Sequence, residues 1–146
     1  MAGRPKSKLV KTKQVKAQAD RHKKTRQAHS LELAEDYVEA IADLIAEYGE
    51  ARTVDVAKKF GVTHVTVAKT ISRLTEMDLV DSEPYRAIFL TKKGAALASK
   101  CKIKHVAVVN FLKSLGISDE IANADAEGIE HHVSEETLKA FIANTK

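Results

Sequence analysis

The chain has 146 residues, 44% hydrophobic but only 5% aromatic and with no Trp, enough for one domain or two small ones with a largely aliphatic core. No apolar run approaches the roughly 20 residues that cross a bilayer, the basic N-terminus lacks the apolar stretch of a secretory signal, and the one cysteine, Cys101, cannot form an intramolecular disulfide, so a cytoplasmic protein without a membrane partner is expected. The net charge of +4 hides a division: residues 1–29 hold ten Lys or Arg against one Asp (+9), and the rest hold fourteen against nineteen Asp or Glu (−5).

A basic arm on an acidic body suits a polyanion, and nucleic acid is the usual one. In chain order, residues 1–29 are polar and form a basic extension expected to be disordered or partly helical. Gly3-Arg4-Pro5-Lys6 has the makeup of an arm that reaches into a minor groove, and residues 9–29 contain no helix breaker. Ser30 is the expected N-cap of the first helix. Leu33, Tyr37, Ala40, Ile41, Leu44, Ile45 and Tyr48 follow with a period of about 3.6 residues, up to Gly49. Thr53 is expected to cap a short helix to Phe60, with Gly61 in a sharp turn. Thr63 then caps a helix to about Met77. Val54, Ala57 and Phe60 are expected to point inward from the first of these helices, and Val67 and Ile71 from the second.

Leu79 to Glu83 and Ala87 to Leu90 flank Pro84-Tyr85-Arg86 and read as a hairpin. Helix, turn, helix, hairpin is the order of a winged helix-turn-helix. Beyond it, Thr91 caps a long helix ending at Gly116, Ser118 opens another to about His132, and Ser134 opens the last, with Glu135 and Glu136 in its first turn. The expected fold is mainly α. A winged helix-turn-helix domain occupies residues 30–92, and an α-helical domain occupies residues 93–146.

In a helix-turn-helix the N-terminal end of the second helix faces base edges. Here it offers Thr63, His64, Thr66 and Lys69, with Thr70 and Arg73 one turn on. The methyls of Val65 and Thr66 suit a thymine methyl, and Arg86 at the hairpin tip suits a phosphate or a minor groove.

A second pattern carries different chemistry. Asp36 and Glu39 stand at i and i+3, on one helix face, and Glu127, Glu130 and His131 stand at i, i+3 and i+4 on another. Adjacent His132 points about 100° away. Acidic pairs of this kind also decorate ordinary solvated faces, so spacing alone leaves both readings open. Crowded carboxylates repel unless solvated or metallated. A set rich in oxygen, with imidazole and no thiolate, suits divalent manganese or iron better than structural zinc. No HExxH, Glu-x-x-His or Gly-rich phosphate loop occurs, so neither an enzyme nor a small-molecule substrate is expected.

Several strings together resemble the diphtheria-toxin-repressor family of metalloregulators, and within it the manganese transport regulator branch. They are Asp36-Tyr37-Val38-Glu39, Val54-Asp55-Val56-Ala57, Gly61-Val62, Thr66-Val67-Ala68-Lys69, Leu90-Thr91 before Gly94, and above all Asp125-Ala126-Glu127-Gly128-Ile129-Glu130-His131-His132-Val133-Ser134. The resemblance covers about residues 31–144. It implies a homodimer whose winged helices bind palindromic double-stranded operator DNA, with a helical dimerisation domain behind them. It also implies a manganese-responsive transcriptional regulator, mainly a repressor, controlling manganese homeostasis genes. Mn(2+), two ions per subunit, would bridge the two domains through Asp36, Glu39, His105, Glu127, Glu130 and His131. In the iron-responsive branch the Asp36 position resembles a methionine and the Glu130 position a cysteine, so hard oxygen donors at both favour manganese. Iron(II) is the alternative ion, and a metal-independent winged-helix regulator the alternative protein. Val65 departs from the family pattern, where many relatives have proline.

Overall fold

A long helix opens the chain, and its length follows from what the sequence lacks. There is no Gly or Pro from residue 6 to residue 48, and Lys, Gln, Ala, Arg, Leu and Glu dominate the stretch, all good helix formers. In the computed structural model, which describes residues 6–83 and 86–146, α1 accordingly runs Lys6–Tyr48. Ser30, the expected N-cap, lies inside α1, because nothing upstream of it breaks the helix. Residues 3–5 of the expected arm and residues 84 and 85 of the expected hairpin tip lie outside the described residues. The chain divides into two units, Met1–Glu32 and Leu33–Lys146. In the first, every side chain across residues 10–31 is exposed.

The second unit begins with the apolar part of α1 and continues with α2 (Thr53–Phe60), α3 (His64–Glu76), β1 (Val80–Ser82), β2 (Ile88–Leu90), α4 (Lys92–Ser114), α5 (Asp119–Ile129) and α6 (Glu135–Asn144). Its first core gathers Tyr37, Val38, Ile41 and Leu44 from α1, Val56 and Ala57 from α2, Val67, Ile71 and Leu74 from α3, and Ile88 from β2. Tyr37 stacks on Phe60 with ring centroids 4.6 Å apart. Val54, expected inward, is 38% exposed. The buried face of α2 is the i, i+4 stripe of Val56 and Phe60 with Ala57 beside it, which leaves Val54 at the edge. The cap of α2 is Arg52 rather than Thr53. The Arg52 backbone N–H donates to the Asp55 carboxylate at 3.3 Å.

Gly61 closes α2 in the left-handed region (φ 64), where a Cβ is disfavoured. Thr63 then caps α3, its hydroxyl accepting the Thr66 N–H at 3.2 Å. β1 and β2 pair antiparallel with Val80 opposite Leu90 and Ser82 opposite Ile88. The Ile88 N–H donates to the Ala51 carbonyl at 2.7 Å, tying the hairpin to the segment before α2. Thr91 caps α4 through the Gly94 N–H and donates its own hydroxyl to the Asp78 carbonyl at 2.6 Å. A Cβ on Gly94 would meet the Leu79 carbonyl oxygen at 1.9 Å, so α4 starts this close to the wing only with glycine there.

The second core holds Val108 and Val109 of α4, Ala122 and Ala126 of α5 and Leu138 of α6, with Phe111 and Phe141 stacked at 4.2 Å. α4 therefore serves both cores, since Ala98 belongs to the first, and Cys101 and His105 lie on the stretch between. α5 stops at Ile129, short of the expected His132, because residues 130–132 form a turn that leads to the Ser134 cap of α6.

Candidate metal centre and nucleic-acid interface

The turn after α5 carries two groups inward. The side chains of Glu130 and His131 are each only 1% exposed, although charged and polar groups are seldom buried so fully without partners. His131 Nδ1 lies 2.8 Å from Glu35 Oε2, and the Glu35 carboxylate is itself buried. On the other side of the ring, His131 Nε2 faces Asp36 Oδ1 at 2.8 Å and Glu130 Oε1 at 3.6 Å. Neither approach is a hydrogen bond: His131 Nε2 and Glu130 Oε1 are both buried without a hydrogen-bond partner.

Beside this pair, His105 of α4 meets Glu130 Oε2 through Nδ1 at 2.6 Å and lies 3.7 Å from Glu127 Oε1. Its Nε2 faces Asn123 Oδ1 at 3.3 Å, while the Asn123 amide nitrogen donates to the Asp119 carbonyl at 2.8 Å. Donor atoms of His105, Glu127 and Glu130 thus lie within 4.8 Å of one another, as do those of Asp36 and His131. Glu39, one turn on from Asp36, belongs to the same neighbourhood. Burial, and then the charges of Glu127, Asp43 and Asp36, hold its carboxyl above the usual range.

The electrostatics have one sign. Burial pushes the Glu130 carboxyl up to about 7, against the pull of His105. Burial works against charging His105, but the hydrogen bond and charge of Glu130, with Asn123 and Glu127, outweigh it and raise its pKa. His131 behaves alike, with Glu35, Asp36 and Glu130 overcoming burial. Nearby Cys101, fully buried, is pushed up to about 12 by burial and by these carboxylates, so its thiol stays protonated. A site that holds excess protons between carboxylates is one where a divalent cation can replace them. The two orphaned buried atoms fit such an ion.

All six predicted ligands are therefore brought together, five of them in two clusters of donor atoms with Glu39 alongside. Sequence reasoning missed Glu35 and Asn123. Glu35 sits on the same helix as Asp36 and Glu39, but nothing in its spacing marks it as buried. Asn123 stands at i, i+4 and i+7 with Glu127 and Glu130, so the helix-face spacing could have found it.

In the first core's domain, α2, α3 and the wing line a cleft of about 940 Å³ with Arg52, Thr53, Val54, His64, Val65, Ala68, Ser72, Ser82, Glu83 and Arg86, among others. Thr63, His64, Thr66, Lys69 and Arg73 are exposed along α3. The Thr63 and Thr66 hydroxyls lie 3.0 Å apart within the cap. Arg86 is exposed and pairs with Glu83 at 2.9 Å. Thr70 does not join this face. It is 7% exposed and its hydroxyl donates to the Thr66 carbonyl at 3.1 Å, because it falls on the α3 stripe with Val67, Ile71 and Leu74 that packs inward.

Two family descriptions match consecutive parts of the chain: "Iron dependent repressor, N-terminal DNA binding domain" over residues 30–88, and "Iron dependent repressor, metal binding and dimerisation domain" over residues 91–145. The chain belongs to the iron dependent repressor family. The resemblance drawn from its motifs holds, and the protein joins a DNA-binding winged helix to a helical metal-binding and dimerisation domain. Within the iron dependent repressors it is 50% identical over 141 residues to "Transcriptional regulator MntR" of Escherichia coli O6:H1, covering 96% of this chain and 91% of the relative. It is 48% identical to the protein of that name from Salmonella typhimurium, over 99% of this chain and 93% of the relative. Among solved structures it resembles one described as "Manganese-dependent transcriptional repressor complex with manganese" (TM-score 0.67, 28% identity, covering 77% of this chain and 52% of that one). It also resembles "Structure of the manganese regulator SloR" (TM-score 0.64, 29% identity, covering 74% and 51%). The chain spans about half the length of those two structures. No described helix is long and apolar enough to cross a membrane.

Proposed function

We propose that this protein is a manganese-responsive transcriptional regulator, mainly a repressor of manganese homeostasis genes, that binds palindromic operator DNA as a homodimer. Residues 30–92 form the DNA-reading part and residues 93–146 the metal-binding and dimerising part, with the basic extension adding phosphate contacts. The observation that carries the reading is the buried pair His131 Nε2 and Glu130 Oε1, both without hydrogen-bond partners beside Asp36. Asp36 lies on the helix that opens the DNA-binding match, and Glu130 and His131 lie in the metal-binding match. Two ions per subunit suit two clusters of donors, one with Asp36 and His131, the other with His105, Glu127 and Glu130, and Glu39 close to both. The donors are oxygen and imidazole. Cys101 is not among the clustered donors, so manganese is favoured over softer ions.

When bound, the cation supplies the positive charge that lets carboxylates of α1 and α5 stand together. The chain's own part is to present these donors from two segments on opposite sides of the winged helix, so that their engagement limits how the DNA-reading unit moves against the dimerisation helices. Operator DNA then meets a preorganised surface. Thr63, His64, Thr66, Lys69 and Arg73 present α3 to a major groove, and Arg86 presents the wing to a phosphate or a minor groove.

The test is DNA capture. Purified protein is incubated with genomic fragments in Mn(2+), in Fe(2+) under anaerobic conditions, or in chelator, and the retained DNA is sequenced. Enrichment of a few palindrome-bearing fragments with Mn(2+), lost in Glu127→Ala or His105→Ala, is the expected result. Equal retention in chelator would remove the sensor and leave a metal-independent DNA-binding protein. Selective retention with Fe(2+) would move the reading to iron.

A further inference from the structure

His131 has two ring nitrogens in unlike surroundings. Nε2 faces Asp36 and Glu130 without a hydrogen bond. Nδ1 is held at 2.8 Å by Glu35, a carboxylate with a side-chain exposure of only 7%. Glu35 stands on α1 among Ala34, Tyr37 and Val38, all buried and apolar, a position where an ionisable side chain gains nothing from packing. A buried carboxylate is retained against its desolvation only by a specific partner, and the one shown for it is His131.

We propose that Glu35 is a positioning residue for the metal centre: by accepting the Nδ1–H of His131, it leaves the Nε2 lone pair directed at the space between Asp36 and Glu130. The inference rests on the metal reading above and deepens it. In neutral imidazole one nitrogen donates and the other accepts, and the hydrogen bond made by one decides which is free to ligate. A neutral histidine side chain in water favours the proton on Nε2, which would block this ligand. Glu35 reverses that preference, and its negative charge also makes the ring a stronger donor. His105 shows the mirror arrangement with a neutral partner. Asn123 Oδ1 faces Nε2 at 3.3 Å, with its amide orientation set by the Asp119 carbonyl, and Nδ1 is turned toward Glu127 and Glu130. Each histidine is thus held from behind, one by a carboxylate and one by an amide.

The experiment compares the unaltered protein with Glu35→Gln and Glu35→Leu. Nitrogen-15 NMR of the histidine rings, in metal-free protein at alkaline pH, reads the tautomer of His131. Electron paramagnetic resonance of unbound Mn(2+) reads affinity. The unaltered protein should carry the His131 proton on Nδ1, and Glu35→Leu should move it to Nε2 and weaken Mn(2+) binding by about 10- to 100-fold. Glu35→Gln, whose amide oxygen accepts the same proton without charge, should keep the tautomer and fall between the two in affinity. A Glu35→Leu protein that folds as a dimer, keeps the Nδ1 proton and binds Mn(2+) as tightly as the parent would overturn the proposal. An unaltered protein that bound no Mn(2+) would sink the metal reading instead, and the metal-free tautomer would still decide what Glu35 does to His131.

Discussion

At the residue scale, the buried charges make the fold sensitive to pH in a definite direction. Glu130, His105 and His131 all have folded pKa values raised above their ordinary values. A raised value means that the folded state holds the proton more tightly. The stability it contributes is full below the unfolded pKa and is lost as pH rises through the folded one. For Glu130 the loss runs from its ordinary value of 4.5 up to about 7, so the metal-free protein should lose thermal stability as pH rises across that range. Mn(2+) should flatten that loss by taking the place of the protons. Melting curves between about pH 4.5 and pH 8.5, with Mn(2+) and with chelator, read this directly; parallel pH slopes in the two conditions would contradict it. Two neighbours on α3 give a second contrast. Thr70 faces the core and Lys69 faces outward. Thr70→Val should leave operator affinity within about twofold and change stability by no more than about 1 kcal/mol. Lys69→Ala should lower affinity at every sequence and reduce the salt slope by about one. Mobility-shift titrations at several salt concentrations separate the two, and a large loss of affinity in Thr70→Val would restore it to the DNA face.

At the element scale, the basic part of α1 is a helix that is polar all round, with exposed side chains across residues 10–31. Such a helix gains nothing from packing. Like charges such as Lys13 and Lys16, or Lys23 and Arg26, stand three residues apart and repel mildly along it. A polyanion relieves that repulsion. Removing residues 1–29 should weaken binding to operator and to unrelated DNA alike, and should flatten the dependence of affinity on salt, because the lost contacts release counterions. Affinities measured at 50 to 200 mM salt test this, and an unchanged slope would assign the extension another role. The wing shows the opposite economy: its second strand is fixed by the Ala51–Ile88 hydrogen bond and its base by the approach of Gly94 to Leu79, leaving Arg86 at its outer end.

At the scale of the whole molecule, one helix connects both activities. α4 contributes Ala98 to the core under the winged helix and Val108 and Val109 to the helical core, with His105 between. Side chains of α1, α4, α5 and the turn after α5 converge there, so under the proposed function occupation of the centre and the arrangement of the DNA-reading unit would be linked equilibria. Linkage is reciprocal. If Mn(2+) tightens operator binding by some factor, operator DNA must tighten Mn(2+) binding by the same factor. Calorimetric titration of Mn(2+) with and without operator, set beside DNA titrations with and without Mn(2+), should return one coupling free energy of about 1–3 kcal/mol. Two measurably different values would show that metal acts on something other than this equilibrium, such as the dimer population.

The sequence by itself determined the order of elements and the winged helix, because caps, glycines and apolar periods are local signals. Thr63, Gly61, Thr91 and Ser134 each act where local chemistry places them. The continuous α1 was less legible, since a good cap residue such as Ser30 is also a tolerable helix interior residue when nothing upstream breaks the helix. Only the tertiary structure decided which polar groups are buried. Glu35, Asn123 and Thr70 look like their exposed neighbours in the sequence, and Val54 looks like a core residue. Burial depends on which face each helix turns toward elements distant in the chain: Glu35 and His131 are 96 residues apart, and no local pattern records that they meet.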